Sequence, residues 1–411
     1  MQMSRRAMLA GLSASGLVAC GSVRSGGSKP NPTTYAPVQD AGYDRWLADF
    51  RPRAAKAGIS DQTLNSAFTH SGFLPDVIEK DRNQLEFSLS LEDYLAITCS
   101  ADRVNAGKAV LRQYGPLLTE IEAKCGVDAH VVAAIWGVES FYGTKRGNVP
   151  VIAALSTLAY EGRRASFFEG QLFAALKILQ HGDVEPDQMT GGWAGAMGHT
   201  QFIPTTYLAY AVDFRGDGRR DIWSDDPTDA LASAASYLSH SGWSHGQPWG
   251  MEVQIPSGFN RALAGHSSPR GTADWAGMGV RAAGGGRLTD HGSSSLLLPA
   301  GATGPAFLIY RNYTVITHYN ASEKYVIGVG HLSDRIKGGP PLITPFPPDA
   351  YGLRQQDRIA LQQQLTRMGY DTGSTDGVFG PVTRSAIEGY QQSRGLPVTG
   401  TPSLELLTMM R

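Results

Sequence analysis

Apolar residues recur at helical spacing from about Tyr43 to Gly242. Trp46, Phe50, Ala54 and Ala55 mark one such face near its start. Asp229 to His240 forms a later helix, opened by Pro227-Thr228-Asp229 and stopped by Gly242. The most apolar stretch runs from Val131 to Ser140, where Val132, Ile135 and Glu139 share one face at i, i+3 and i+7. From about Met251 the texture changes to short runs of β type: Glu252 to Ile255, Phe307 to Tyr310, Tyr313 to Thr317 and Tyr325 to Val329. Arg311-Asn312 then reads as a hairpin connection. Gly265 to Pro305 is loop-rich, with one small helix near Ala273 to Met278. Pro340-Pro341 and Pro345 to Pro348 mark an extended linker. Leu361 with Leu365, then Ala386, Ile387 and Tyr390, then Ser403, predict a last module of three helices.

The ends bound the fold. Arg5-Arg6, the short apolar stretch Ala7 to Ala19 and Leu17-Val18-Ala19-Cys20 read as a lipoprotein signal with Cys20 as the lipidated residue. Ser4 to Leu9 also has the look of a twin-arginine export signal. Residues 21–41 are rich in Gly, Ser, Pro and Thr, as in a flexible tether. The expected location is the periplasm, anchored to the outer membrane, because Gly21-Ser22 lacks an acid after the lipidated cysteine.

The 411 residues carry a net charge of −1, with 42% hydrophobic and 18% charged residues. That excludes a basic nucleic-acid binder and fits a soluble globular body of two or three domains. Export leaves Cys99 and Cys125 in an oxidising compartment, either paired in one disulfide or free.

Glu139 is the chemical oddity, a carboxyl in an otherwise apolar or small run. Such surroundings favour its protonated form, and a protonated glutamic acid beside a cleft is the general acid that glycosidic cleavage needs. Periodicity alone favours a plainer reading, a glutamate at the edge of the core.

The motifs decide between them. Ile135-Trp136-Gly137-Val138-Glu139-Ser140-Phe141-Tyr142-Gly143 resembles the lytic murein transglycosylase B family. So, in the family's order, do Tyr160-Glu161-Gly162-Arg163-Arg164, Gly195-Ala196-Met197-Gly198-His199-Thr200-Gln201-Phe202-Ile203-Pro204 and Tyr319-Asn320-Ala321-Ser322. Asp376 to Gln391 resembles a helical peptidoglycan-binding domain. The resemblance implies an α+β, predominantly α architecture: a lysozyme-like catalytic domain over 42–340 with a small β-rich part, a linker over 341–352, and a three-helix wall-binding domain over 353–411. It implies cleavage of the β-1,4 bond between N-acetylmuramic acid and N-acetylglucosamine, leaving a 1,6-anhydro ring, with Glu139 as acid and then base and no required cofactor. A hydrolytic muramidase and a non-catalytic wall-binding lipoprotein are the alternatives.

Gln201, Asn320, Arg163, Arg164, Tyr142, Tyr319, Tyr325, Met197 and Phe202 are the expected substrate-binding residues. Peptidoglycan is the expected partner, with the membrane reached through Cys20 and cell-wall synthesis proteins as further candidates. Asp213, Asp217 and Asp221, with Gly218, echo positions 1, 5, 9 and 6 of an EF-hand loop, so Ca²⁺ is a candidate ion. Arg215 at position 3 and Ser224 at position 12 depart from that pattern.

Overall fold

A computed structural model describes residues 35–69, 71–82 and 89–410. The signal segment, Cys20 and most of the tether lie outside the described residues. The remainder is α+β and predominantly α, with one two-stranded and one four-stranded sheet.

Two helical cores lie side by side. In the first, the Ala129–Ser140 helix is buried on every side from Val131 onward. A helix apolar all round must be enclosed. Here it packs against the Glu323–Lys337 helix and the helices Ala101–Gln113 and Gly115–Cys125. Each fully buried Val or Ile stabilises this arrangement by about 1.5–3 kcal/mol. The second core joins the Val151–Glu161 and Ala165–His181 helices, with Phe50, Phe168 and Tyr207 among its large side chains.

The four-stranded sheet is antiparallel, in the order Arg281–Ala282, Gly250–Gln254, Ala306–Ile309, Ser295–Leu297. Trp275, on the small Thr272–Gly277 helix, is fully buried in the core of this sheet.

Two expected strands are helices instead. Tyr313–Thr317 lies within the Arg311–Tyr319 helix and Tyr325–Val329 within the Glu323–Lys337 helix, so no hairpin forms at Arg311-Asn312. The buried set Asn312, Tyr313, Val315, Ile316 repeats at helical spacing. Packing on that face overrides the β preference of Val, Ile and Tyr. Asn312 is a pin: its side-chain amide donates to the carbonyls of Ser244 and Gln247 (2.8 and 2.6 Å) and accepts from the Ser244 amide (2.8 Å). Of the two readings of Cys99 and Cys125, paired or free, the structure has the second. Both thiols are free, and Cys99 lies 3.7 Å from the Gly328 carbonyl, its pKa pushed up to about 12 by burial.

The C-terminal module consists of the helices Gln355–Arg367, Pro381–Ser393 and Leu404–Met409 around Leu361, Leu365, Ile387 and Tyr390. The preceding segment is docked, with the Ile343 and Thr344 amides donating to the Glu252 carboxylate (2.9 and 2.7 Å). The buried Arg358 joins the module to the larger body. It pairs with Glu92 (2.6 Å) and Asp93 (3.1 Å) on the Leu91–Thr98 helix and with Asp349 (3.3 Å), and donates to the Gly377 carbonyl (2.6 Å). Removing one partner of a buried pair strands the other. Arg358→Ala should therefore weaken this junction by about 2–3 kcal/mol, discounted because the three carboxylates keep some solvent. Limited proteolysis should cut the 341–352 segment faster in the variant; an unchanged rate would show that the clasp does not hold the module.

Candidate active site

Glu139 occupies the last turn of the Ala129–Ser140 helix and is 3% exposed. The helix stops abruptly beyond it. Phe141 and Tyr142 both take left-handed backbone angles (φ 48° and 56°), followed by Gly143 at φ 83°. Such angles cost a non-glycine residue on the order of 1 kcal/mol or more and persist where surrounding structure enforces them. Ser140 enforces this turn: its hydroxyl donates to the His199 carbonyl (2.6 Å) and accepts from the Gly143 amide (2.9 Å).

The Tyr325 hydroxyl donates to Glu139 Oε1 at 2.6 Å. The Tyr325 ring stacks on Tyr319 with centroids 6.4 Å apart, and the Tyr319 hydroxyl donates to the Thr200 carbonyl at 2.6 Å. Burial and the neighbouring Glu139 charge push both phenols well above their ordinary pKa, so both stay neutral donors.

The Gly195–Pro204 segment faces this helix end. Met197 and Phe202 pair backbone to backbone (2.8 and 3.0 Å), and the Phe202 ring lies 5.9 Å from Tyr319. Between them Gln201 takes φ 53°. Its amide nitrogen donates to the carbonyls of Gly198 (2.7 Å) and Arg146 (2.9 Å). Its Oε1 is buried without a protein donor. Asn320 is buried at the end of the Arg311–Tyr319 helix, where its Oδ1 accepts from the Ser322 amide (2.9 Å).

The expected residues thus divide. Glu139, Tyr325, Tyr319, Phe202, Met197 and Gln201 belong to one neighbourhood. Tyr142 is an interior packing residue instead of a stacking platform. Its hydroxyl donates to the Arg103 carbonyl (3.0 Å), and its ring meets Trp136 edge-on. Arg163 is engaged by Asp81, whose carbonyl it also meets at 2.9 Å, and Arg164 lies over Phe167 and Phe168. Glu161 and Glu169, the acids that follow Glu139 in the sequence, form ion pairs with Arg82 and Arg53.

One residue of the site escaped the sequence reading. His199 is 3% exposed, and its Nδ1 lies 3.1 Å from Trp136 Nε1. An indole N–H only donates, so Nδ1 accepts and Nε2 carries the proton. Nε2 then donates to the Ser224 carbonyl at 2.7 Å. Burial pushes the imidazole pKa below its ordinary value. It lies inside the Gly195–Pro204 motif, but nothing in the sequence singles it out from its neighbours there.

The acids of the EF-hand-like loop hold its own backbone, and no residue stands in for a ligand at position 3. Asp213 accepts from the amides of Gly216, Asp217 and Gly218 (2.6–3.1 Å), Asp217 from that of Arg219, and Asp221 from those of Trp223 and Ser224. Arg215 turns away to Glu120 (2.7 Å). Among the described residues the one cluster with metal-ligand spacing is Glu122, Asp128 and His245. Its ligand atoms are already engaged, His245 with Glu122 (2.8 Å) and Asp128 with the Trp243 indole (2.8 Å).

Comparison with known proteins gives the family. Residues 42–334 match the family model described as "Transglycosylase SLT domain", and residues 354–410 match "Putative peptidoglycan binding domain". The chain belongs to the transglycosylase SLT family, whose enzyme class is that of the lytic transglycosylases. It is similar to SltB3 from Pseudomonas aeruginosa, solved in complex with NAG-NAM-pentapeptide: 48% identity, 90% of this chain and 100% of that one, TM-score 0.73. A second SltB3 structure holds NAG-anhNAM-pentapeptide and matches equally. The chain is also similar to Escherichia coli Slt35 in complex with calcium, at 27% identity over 75% of this chain and 98% of that one, TM-score 0.61. Membrane-bound lytic murein transglycosylase B of Escherichia coli K12 is 32% identical over 242 residues, 57% of this chain. The match spans 64% of that relative's length. Among the described residues no helix is long and apolar enough to cross a membrane.

Proposed function

We propose that the protein is a lytic transglycosylase that cleaves peptidoglycan between N-acetylmuramic acid and N-acetylglucosamine, with Glu139 as the sole acid and base. The observation that carries this reading is the buried Glu139 carboxyl, held at the abrupt end of its helix by the Tyr325 hydroxyl. In the first half-reaction Glu139 gives its proton to the bridging oxygen as the bond from the muramoyl C1 breaks. In the second, the muramoyl 6-hydroxyl oxygen bonds to C1 and its proton passes to Glu139. A 1,6-anhydro ring results, the carboxyl is again protonated, and no water enters. A hydrolase instead needs a group that activates water, usually a second carboxylate, and Glu161 and Glu169 are committed to ion pairs. The ligand pair in the SltB3 complexes, NAM in one and anhNAM in the other, supports the same chemistry.

In this reading Gln201 belongs to the sugar site beside Glu139, while Tyr319, Tyr325, Met197 and Phe202 shape the cleft. Asn320 is assigned to the same cleft, whereas Arg163 and Arg164 are held by Asp81 and over Phe167 and Phe168. Residues 42–340 carry catalysis and 353–411 hold the enzyme on its polymer, raising the effective concentration of substrate. A lipid on Cys20 would add a membrane anchor on the periplasmic side.

Purified sacculi provide the test. The protein should release soluble muropeptides from them. Binding to sacculi with no release would leave only a wall-binding role and overturn the proposal.

A further inference from the structure

We infer that His199 is a positioning residue for Glu139, an imidazole wedge that fixes the end of the Ala129–Ser140 helix against the Gly195–Pro204 loop. The inference rests on Glu139 being the acid. Four bonds carry it. Trp136, one turn before Glu139, donates its indole N–H to His199 Nδ1. Ser140, directly after Glu139, donates its hydroxyl to the His199 carbonyl. His199 in turn donates Nε2–H to the Ser224 carbonyl, and its own amide donates to the Ile222 carbonyl (3.1 Å). The residues flanking Glu139 are thereby tied through one residue to the 222–224 segment, Trp136 and Ser224 by its ring and Ser140 and Ile222 by its backbone.

The space agrees with the bonds. A Cβ on Gly143 would sit 2.5 Å from His199 Nδ1, so the turn after Glu139 closes directly onto the ring. Arg146 is the cation beside the imidazole, with its Nη1 3.2 Å from Nε2. Its guanidinium also donates to the Trp223 and Ser224 carbonyls (2.8 and 2.6 Å) and pairs with Asp225 (2.7 Å). The Arg146 carbonyl holds Gln201. The wedge therefore sets Glu139 and Gln201 in one frame. A small misplacement of a catalytic group costs rate more than binding.

Two substitutions in the full-length protein separate positioning from bulk. His199→Asn keeps an acceptor near Nδ1 for the Trp136 indole. His199→Leu fills the space and offers none. On soluble glycan strands, His199→Leu should lose about tenfold or more in kcat with little change in KM, and His199→Asn should recover most of that loss. Because His199→Leu strands a buried indole donor, Trp136→Phe supplies a second measurement. Its effect on kcat should be smaller in the His199→Leu background than in the wild type. Equal kcat in the Asn and Leu variants, or additive effects of the Trp136 and His199 changes, would overturn the inference. Glu139→Gln assayed alongside keeps the two claims apart. An active Glu139→Gln removes the proposed function itself, whereas an inactive one with His199 variants at wild-type kcat removes only the wedge.

Discussion

Glu139→Gln should lower muropeptide release by at least about a hundredfold, the usual contribution of a positioned general acid. The substitution keeps the size of the side chain and leaves an oxygen for the Tyr325 hydroxyl, now 2.6 Å from Glu139 Oε1. Packing around Val138, Ser140 and Tyr319 is unchanged, so the melting temperature should stay close to that of the wild type. An amide, however, has no proton to give the leaving oxygen and cannot take one from the muramoyl 6-hydroxyl. Both half-reactions fail together. Release assayed on sacculi, with melting as the control for folding, reads this directly; a variant with wild-type release would remove Glu139 from the mechanism.

Gly198→Ala should cause a large loss of stability for the addition of a single methyl group. Gly198 has φ 69°, and a Cβ there would lie 2.2 Å from the Ile222 carbonyl oxygen and 2.9 Å from its carbon. Backbone cannot swing aside as a long side chain can. The left-handed conformation costs an alanine about 1–2 kcal/mol, and displacing packed backbone about 1–3 kcal/mol more. The same Ile222 carbonyl accepts from the His199 amide, so relief of the clash breaks a bond that fixes the loop. A thermal or urea midpoint should fall by an amount equivalent to about 2–5 kcal/mol. A change within about 0.5 kcal/mol, the range of ordinary surface substitutions, would show that the Gly198 turn has slack that the geometry denies.

The helix that carries Glu139 was legible because its signal is local. Val132, Ile135 and Glu139 share a face, and no Gly or Pro breaks the run before Gly137. The Arg311–Tyr319 and Glu323–Lys337 helices were not legible as helices. Their Val, Ile and Tyr residues suit a strand, and only burial against the first core selects the helical period. Tyr325 was named as a residue of the cleft, yet its bond to Glu139 joins residues 186 positions apart and has no local trace. His199 is the sharper case. Its role depends on glycine-rich turns bringing one loop across a helix end, and composition says nothing of where a turn will point. The Asp213–Ser224 loop shows how spacing is legible where partners are not. Its acids have a motif's spacing, but they satisfy backbone amides, and Arg215 occupies a ligand position.

The central claim is that the muramoyl 6-hydroxyl, and not water, closes the reaction that Glu139 opens. Mass spectrometry of the products formed in oxygen-18 water tests it most directly. The account predicts muropeptides lighter than the hydrolytic product by one water and free of label. Reducing-end muramic acid carrying oxygen-18 at C1 would contradict it and make the protein a hydrolase of the same fold.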